Sequence, residues 1–171
     1  MQVHLLRHAI AEPRDPERWA DDARRPLTRE GRVRMARAAR GLRALGVRYD
    51  LVLTSPFVRA RQTAEVVLPV FRPRPPVRIL KPLASGGGTG GVFAALGTIP
   101  PSSTVLLVGH EPDLSRLAGA MILEQRADLP IEFKKGGLCR IDFEGTPRPG
   151  NGRLVLHLTP KILRRLATRT S

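Results

Sequence analysis

Three short apolar runs, each followed closely by basic or imidazole side chains, constrain the fold of this chain more than any other feature. They cover residues 3–6, 51–55 and 104–108. Runs that are rich in leucine and β-branched residues are typical of strands buried on both faces of a parallel sheet. In open α/β sheets, ligands bind where such strands end and loops begin. The sequence therefore predicts an α/β fold whose functional residues lie along the carboxyl edge of the sheet.

Four side chains follow these runs: Arg7 and His8 after the first, Arg59 after the second and His110 after the third. Parallel strands would bring all four together at one edge of the sheet. Arginine offers a planar fork of donors that suits phosphoryl oxygens, and an imidazole can act as a nucleophile or carry a proton near neutral pH. A single Arg-His pair usually does no more than end a strand in solvent, but the recurrence of the pattern favours phosphoryl chemistry.

Three motifs carry a family resemblance. They are Leu6-Arg7-His8-Ala9, Ser55-Pro56-x-x-Arg59-Ala60-x-Gln62-Thr63 and Val108-Gly109-His110-Glu111-Pro112. Together, and in this order, they resemble the histidine phosphatase superfamily, which is also called phosphoglycerate mutase-like. The small size of the chain and the segments 25–31 and 133–137 look most similar to the SixA-type phosphohistidine phosphatases of bacteria. The resemblance covers residues 1–160.

The resemblance implies both a fold and a mechanism. The expected fold is a three-layer α/β/α sandwich with a mostly parallel central sheet, built as one domain over residues 1–171. In the expected reaction, His8 attacks phosphorus and carries the phosphoryl group, while Arg7, Arg59 and His110 contact the phosphoryl oxygens. Water then regenerates His8. No metal ion or other cofactor is expected, because arginine and imidazole supply the positive charge and the sequence has no metal-ligand pattern.

The sequence departs from the family pattern at two places. The usual Arg-His-Gly reads Arg-His-Ala at residues 7–9, a mild change between small residues. Many members carry a glutamate as general acid near residues 81–85, and this segment has no carboxylate. SixA-type members commonly lack that acid too. Glu111, the only carboxylate beside a motif residue, is a candidate either for the general acid or for orienting His110.

Three functions are compatible with these residues. The favoured one is a phosphatase that removes the phosphoryl group from phosphohistidine in a protein. The imidazole of that histidine is a leaving group that departs without a strong general acid. The second is a broader phosphatase that acts on small phosphorylated metabolites or on polyphosphate. The third is a polyanion-binding protein with little turnover. The expected partner is accordingly a phosphorylated protein or a small phosphorylated substrate.

Charge and cysteine content limit the remaining alternatives. The net charge is +14, but all except four of the 29 basic residues are arginines, a bias that G+C-rich codons would also produce. Aromatic residues make up only 4% of the chain and leave few stacking platforms, so a nucleic-acid function is not expected. Attraction of anionic substrates is the simpler use of the charge. The single cysteine, Cys139, excludes an internal disulfide and indicates a cytoplasmic protein, and neither a signal peptide nor a membrane span is expected.

Local signals predict the elements between the motifs. Thr28 is predicted to cap a helix that ends near Leu45, and Ser55 to cap the next helix with Pro56 as its first residue. Either Asp113 or Ser115 is predicted to cap a later helix. Strands are predicted over 77–80, 129–133, 138–143 and 154–158, a terminal helix over 161–171, and a mobile pocket rim over the glycine-rich residues 86–91. Structural roles are predicted for His4, Cys139 and His157.

Overall fold

The structure is a computed structural model that describes residues 1–124 and 131–168. Within these residues, six strands form one sheet in the order β3-β2-β4-β1-β5-β6. The strands are β1 (Gln2–Arg7), β2 (Leu51–Thr54), β3 (Val77–Ile79), β4 (Thr104–Gly109), β5 (Leu138–Phe143) and β6 (Gly152–Leu158). Strands β1 to β4 are parallel, and β5 pairs antiparallel with both β1 and β6. The mostly parallel central sheet predicted from the sequence is confirmed.

Helices cover both faces of this sheet. In the described residues they are α1 (Arg29–Ala44), α2 (Val58–Val67), α3 (Gly90–Gly97), α4 (Asp113–Ile122) and α5 (Pro160–Leu166). Successive strand residues point to opposite faces, so Leu6 packs in one buried cluster with Met35 of α1, while Leu5 packs in the other with Leu117 of α4. The clusters on the two faces give the predicted three-layer α/β/α arrangement.

Two glycines let α1 approach its neighbours closely. A Cβ atom at Gly31 would lie 2.0 Å from the carbonyl oxygen of Ile10, and one at Gly41 would lie 1.8 Å from that of Leu163. No side chain larger than hydrogen fits at these distances. Thr28 caps α1 as predicted, since its hydroxyl accepts a hydrogen bond from the Gly31 N–H at 2.9 Å. The helix is therefore held against both α5 and the loop that follows β1.

The second helix starts later than predicted. Ser55 does not cap it, and Pro56 is not its first residue. The helix begins at Val58, preceded by Phe57 without a side-chain cap. The Ser55 hydroxyl accepts from the Phe57 N–H at 3.2 Å and lies 2.8 Å from Nε2 of His110. The prediction was wrong because this hydroxyl bonds a histidine from another strand end, a contact that the local cap signal does not contain.

The predicted cap of α4 is also wrong. Asp113 is the first residue of the helix, Pro112 precedes it and Ser115 lies in its first turn. The Asp113 carboxylate instead accepts from the Gly86 N–H at 3.0 Å. Asp113 therefore links the glycine-rich segment to α4. Residues of that segment and of α4 line a small cavity of about 130 Å³. The last glycines of that segment open α3, which begins at Gly90. A rim role at the phosphoryl pocket stays a prediction.

The segment before β5 is not a strand. Residues 131–133 belong to no strand, and the first part of the predicted strand over 129–133 lies outside the described residues. The backbone of Phe133 instead bonds two side chains, because its carbonyl accepts from Arg7 and its N–H donates to Glu111. These contacts replace the sheet hydrogen bonds that the alternating sequence suggested.

The remaining elements agree with the predictions. The edge strand β3 and the antiparallel strands β5 and β6 are present, and Cys139 is a buried free thiol. Thr159 caps α5, which ends at Leu166, short of the predicted end, and residues 169–171 lie outside the described part. Within the described part of the chain, no helix is both long and apolar enough to cross a bilayer.

Candidate active site

The register of the sheet brings the three motifs together. Arg7 at the end of β1 pairs with Gly109 at the end of β4. The N–H of His8 donates to the carbonyl of Gly109 at 3.0 Å, and the N–H of Ser55 donates to that of Val108 at 3.0 Å. The residues that follow β1, β2 and β4 therefore lie side by side at the carboxyl edge of the sheet.

His8 is buried and held in one tautomer. Its Nδ1 lies 2.7 Å from the carbonyl oxygen of Ala9. Because a carbonyl can only accept, Nδ1 carries the proton and Nε2 keeps its lone pair. Burial, followed by the positive charges of Arg59 and Arg7, lowers the pKa of His8 to about 3 against the opposing effect of the Ala9 bond. The ring is neutral at pH 7, as a nucleophile must be.

His110 lies beside His8. The two ring centroids are 5.1 Å apart, and Nε2 of His110 is 2.8 Å from the Ser55 hydroxyl. Burial, followed by the neighbouring His8 and Arg59, lowers the pKa of His110 to about 3, so this ring is neutral too. Its Nδ1 is buried and has no hydrogen-bond partner among the described residues.

Arg59 lies in the first turn of α2 and is held by Asp22. Nη1 of Arg59 donates to the backbone carbonyl of Asp22 at 2.8 Å, and Nη2 lies 3.0 Å from the Asp22 carboxylate. The guanidinium carbon also lies 4.9 Å from the centre of the Phe57 ring. The Nε of Arg59 is buried without a partner among the described residues.

Arg7 is held from the other side by the Phe133 segment. Its Nη1 donates to the Phe133 carbonyl at 2.5 Å, while Nε has no partner among the described residues. The Phe133 N–H donates to Oε1 of Glu111 at 3.0 Å, and the Ser115 hydroxyl lies 2.8 Å from Oε2. Glu111 is therefore engaged with the segment that positions Arg7, and the described contacts include no bond from it to His110.

Three buried side-chain nitrogens in this region lack a partner among the described residues: Nε of Arg7, Nε of Arg59 and Nδ1 of His110. Buried polar groups are almost always hydrogen-bonded, because an unpaired one costs about 1–3 kcal/mol. The two arginine N–H groups can each donate to an acceptor oxygen, and Nδ1 of His110 can do so in the tautomer that carries its proton there. The site is therefore suited chemically to an oxyanion such as a phosphoryl group.

Sequence reasoning missed three residues that position this site. Asp22 orients Arg59, Ser55 bonds His110, and the Thr63 hydroxyl accepts from the Ala9 N–H at 3.0 Å and donates to the Arg59 carbonyl at 2.7 Å. Ser55 and Thr63 belong to the second motif, so their motif membership was the available signal. Asp22 lies in the charged excursion after β1, where nothing local distinguishes it from its acidic neighbours.

Metal ligands do not cluster here in the described residues, since no group of three or more His, Cys, Asp or Glu side chains is placed to hold an ion. The same finding applies to the rest of the described ranges, 1–124 and 131–168.

Comparison with known proteins agrees with the geometry. Residues 3–84 match the sequence model of the histidine phosphatase superfamily, branch 1. The chain is 35% identical over 160 residues to an uncharacterized protein of Picosynechococcus sp. PCC 7002, covering 92% of this chain and 90% of that protein. It is 29% identical over 163 residues to the phosphohistidine phosphatase SixA of Escherichia coli K12, covering 94% of each. A solved structure of the protein histidine phosphatase SixA complexed with tungstate superposes with a TM-score of 0.82 and 28% identity, covering 95% of this chain and 99% of that one.

Proposed function

Because the chain belongs to the histidine phosphatase superfamily, and to its SixA-type branch, we propose that it removes phosphoryl groups from phosphohistidine in proteins through a phosphohistidine intermediate on His8. The observation that carries this proposal is the group of three unpartnered buried nitrogens, from two arginines and His110, beside the neutral imidazole of His8. The tungstate in the similar SixA structure is a tetrahedral oxyanion, which supports the same chemistry at this site.

In the proposed first step, Nε2 of His8 attacks phosphorus in line with the leaving group. A P–N bond forms to His8 as the P–N bond of the substrate breaks, and the protonated substrate imidazole leaves as a neutral ring. The Nε donors of Arg7 and Arg59 compensate the charge on the phosphoryl oxygens. Water then attacks phosphorus and releases inorganic phosphate, which returns His8 to its starting form.

His110 is proposed as the third phosphoryl contact. When the Ser55 hydroxyl donates to Nε2, the neutral ring carries its proton on Nδ1, the atom that lacks a partner. That N–H then donates to a phosphoryl oxygen. Asp22 keeps the terminal nitrogens of Arg59 in place, so that its free Nε faces the substrate.

The substrate class follows from what the site does not offer. Residues 81–85 contain no carboxylate, and both carboxylate oxygens of Glu111 lie within hydrogen-bond distance of other groups. An alkoxide leaving group needs a proton as it departs, whereas protonated phosphohistidine releases a neutral imidazole. Because neither Glu111 nor residues 81–85 supply an available acid, the described residues favour phosphohistidine over alkyl phosphates. We place the activity in the cytoplasm, consistent with the reduced, buried thiol of Cys139.

A substrate panel tests the proposal. Purified protein is assayed with a histidine-phosphorylated protein, an aryl phosphate, a sugar phosphate and inorganic polyphosphate, with His8→Ala as the inactive control. We expect turnover to be fastest with the histidine-phosphorylated protein, and wild-type enzyme quenched in alkaline detergent to carry phosphate that is stable in base and lost in acid. Comparable turnover by folded His8→Ala would contradict the covalent mechanism. Faster hydrolysis of the sugar phosphate or of polyphosphate would replace the proposed substrate with a broader one.

A further inference from the structure

A concave surface lies beside the candidate active site. It has a volume of about 630 Å³ and is bordered by α1, α5 and residues 134–136. Arg7 and Ala9 also line it, so it begins at the end of β1 that carries the nucleophile. The other three residues of the phosphoryl site are not among the described residues that line it. This surface therefore shares Arg7 with the phosphoryl site and extends away from it between α1, α5 and residues 134–136.

Cationic side chains from three elements form the rim of this groove. They are Arg34 of α1, Lys134 and Lys135 of the segment before β5, and Lys161 and Arg164 of α5. The described lining residues include no Asp or Glu. We call this surface, with these five residues as its rim, the basic groove.

Among the described residues, two of the five rim cations are paired within the chain and three are not. Arg34 and Lys134 each pair with an exposed glutamate of their own segment at 2.5 Å, and exposed pairs of this kind are worth about 0–1 kcal/mol. In the ranges that the structure describes, Lys135, Lys161 and Arg164 form no ion pair. The rim thus presents mostly uncompensated positive charge.

The electrostatics of Lys135 agree with this description. Burial lowers the pKa of Lys135, and the positive charges of Arg7 and Arg25 lower it further. A cation that experiences the positive charges of other cations is stabilised when an anion binds beside it. The groove is therefore electrostatically matched to a negatively charged ligand.

The floor of the basic groove is apolar. Met35 and Ala38 lie at its base with very little exposure, and Ile10 and Pro160 flank them. Inorganic polyphosphate has no apolar surface with which to cover this floor. A protein segment with acidic side chains on its edges and apolar side chains between them matches both the floor and the rim.

The positive surface continues along α1. A neighbouring cavity of about 460 Å³ shares Arg164 with the basic groove and is lined also by Arg37 and Arg40. From Gly31 to Arg40 the axis of α1 rises roughly 14 Å at 1.5 Å per residue. A segment of roughly ten helical residues would span the same length.

From the charged rim, the apolar floor and the start of the groove at Arg7, we propose that the basic groove docks an acidic amphipathic segment of the phosphoprotein substrate. The inference rests on the proposed function for the identity of that protein. The docked segment lies beside its phosphohistidine, so binding in the groove brings the phosphoryl group to His8. Small phosphorylated molecules carry no protein segment that would cover the groove beyond Arg7.

Charge reversal in the groove tests this proposal. The double variant Lys161→Glu/Arg164→Glu reverses two rim charges without touching the phosphoryl site. Arg74→Glu/Arg78→Glu is the matched control, because it makes the same charge change on exposed residues at and before the distant edge strand β3. We expect the groove variant to raise KM for the histidine-phosphorylated protein about tenfold, with kcat and aryl phosphate hydrolysis unchanged. The control variant should resemble wild type with both substrates.

A binding measurement separates docking from turnover. A ten-residue helical peptide with glutamates flanking a leucine stripe is titrated into wild-type protein, the groove variant and the control variant. We expect saturable binding to wild type and to the control, weakened by salt and about tenfold weaker in the groove variant. Lys161→Gln/Arg164→Gln replaces the reversal variant if the latter does not fold, and should show a smaller change in the same direction.

The outcomes are distinguishable. Peptide binding that depends on the groove, without turnover of the phosphoprotein, would retain the docking surface and refute the proposed function. Turnover of the phosphoprotein with an unchanged KM in the groove variant would retain the proposed function and refute the docking surface. Binding of inorganic polyphosphate but not of the peptide would overturn the proposal in favour of a polyanion site.

Discussion

Asp22 occupies both terminal nitrogens of Arg59, one through its backbone carbonyl at 2.8 Å and one through its carboxylate at 3.0 Å. The orientation of the guanidinium is therefore fixed by the protein, and its buried Nε has no partner among the described residues. Arg25 also bonds the Asp22 carboxylate, at 2.7 Å, and together these two arginines hold the pKa of Asp22 below its usual value in spite of partial burial. Asp22 is thus a fixed anion at neutral pH and not a proton donor.

Asp22→Asn should lower kcat about tenfold, because the ion pair that orients Arg59 is lost while the backbone bond remains. The affinity for vanadate should also fall, because Nε of Arg59 is no longer held in a fixed orientation. Asp21→Asn, the same change one residue earlier, is the control, because the Asp21 side chain only accepts from the Ala23 N–H and so caps a short 3-10 helix, Asp22–Arg24. Steady-state kinetics on both variants check the expectation, and equal rates for the two would refute it.

Arg59→Lys should reduce kcat/KM about 100-fold. A single ammonium group cannot replace a planar guanidinium whose Nε donates to substrate while its two Nη atoms bond Asp22. Arg61→Lys changes an exposed arginine two residues along the same helix and should stay within about twofold of wild type. Circular dichroism establishes that both variants fold. A decrease in kcat/KM of less than threefold in Arg59→Lys would show that the planar guanidinium of Arg59 is not required.

Glu111→Gln separates a positioning role from an acid role. A glutamine retains the oxygen that accepts from the Phe133 N–H, so Arg7 stays in place and kcat should remain within about threefold of wild type. Glu111→Ala leaves that N–H without its acceptor and should raise KM about tenfold.

Across a series of aryl phosphates, the rate of the first step should fall steeply with leaving-group pKa, equally in wild type and in Glu111→Gln. A flat dependence in wild type that becomes steep in the glutamine variant would assign Glu111 as the general acid, a service worth about 10² to 10⁴ in rate.

Three buried imidazoles should make the fold sensitive to acid. Burial lowers the pKa of His4 to about 4 and those of His8 and His110 to about 3, from 6.5. Below pH 6.5 the unfolded chain takes up protons that the folded chain does not, so stability falls as the pH falls from 6.5 toward these values. Each imidazole should cost about 2 kcal/mol of unfolding free energy at pH 5.

Urea unfolding at pH 7.5 and pH 5 measures this loss. His4→Gln removes one titrating group far from the phosphoryl chemistry, so the difference between the two pH values should shrink in that variant. Equal stability of the wild type at both pH values would mean that the imidazoles are solvated in the folded protein.

Sequence patterns predicted the parts of this molecule that depend on local periodicity or on strand ends. The apolar runs located β1, β2 and β4, and parallel pairing then placed Arg7 opposite Gly109, beside His8 and His110. Contacts between distant segments were not predictable. The hydroxyl of Ser55 matches a helix cap in sequence but bonds a histidine 55 positions away.

The strand predicted around Phe133 was wrong for a similar reason. Its alternating residues suggest a strand, but its backbone bonds Arg7 and Glu111, which come from two other motifs. Asp22 carried no signal at all, because a charged loop gives no indication of which acid will face an arginine 37 positions later. Only the folded chain decides which side chain receives such a bond.

The Thr63 hydroxyl, which accepts from Ala9 and donates to the Arg59 carbonyl, also determines which residues position 63 can tolerate. Valine would reproduce the shape of this fully buried side chain and lose both hydrogen bonds, whereas serine would keep the bonds and leave a methyl-sized void. Neither replacement supplies both properties. Natural variation at this position should therefore be narrower than at an ordinary core site, and its sequence logo should be dominated by threonine.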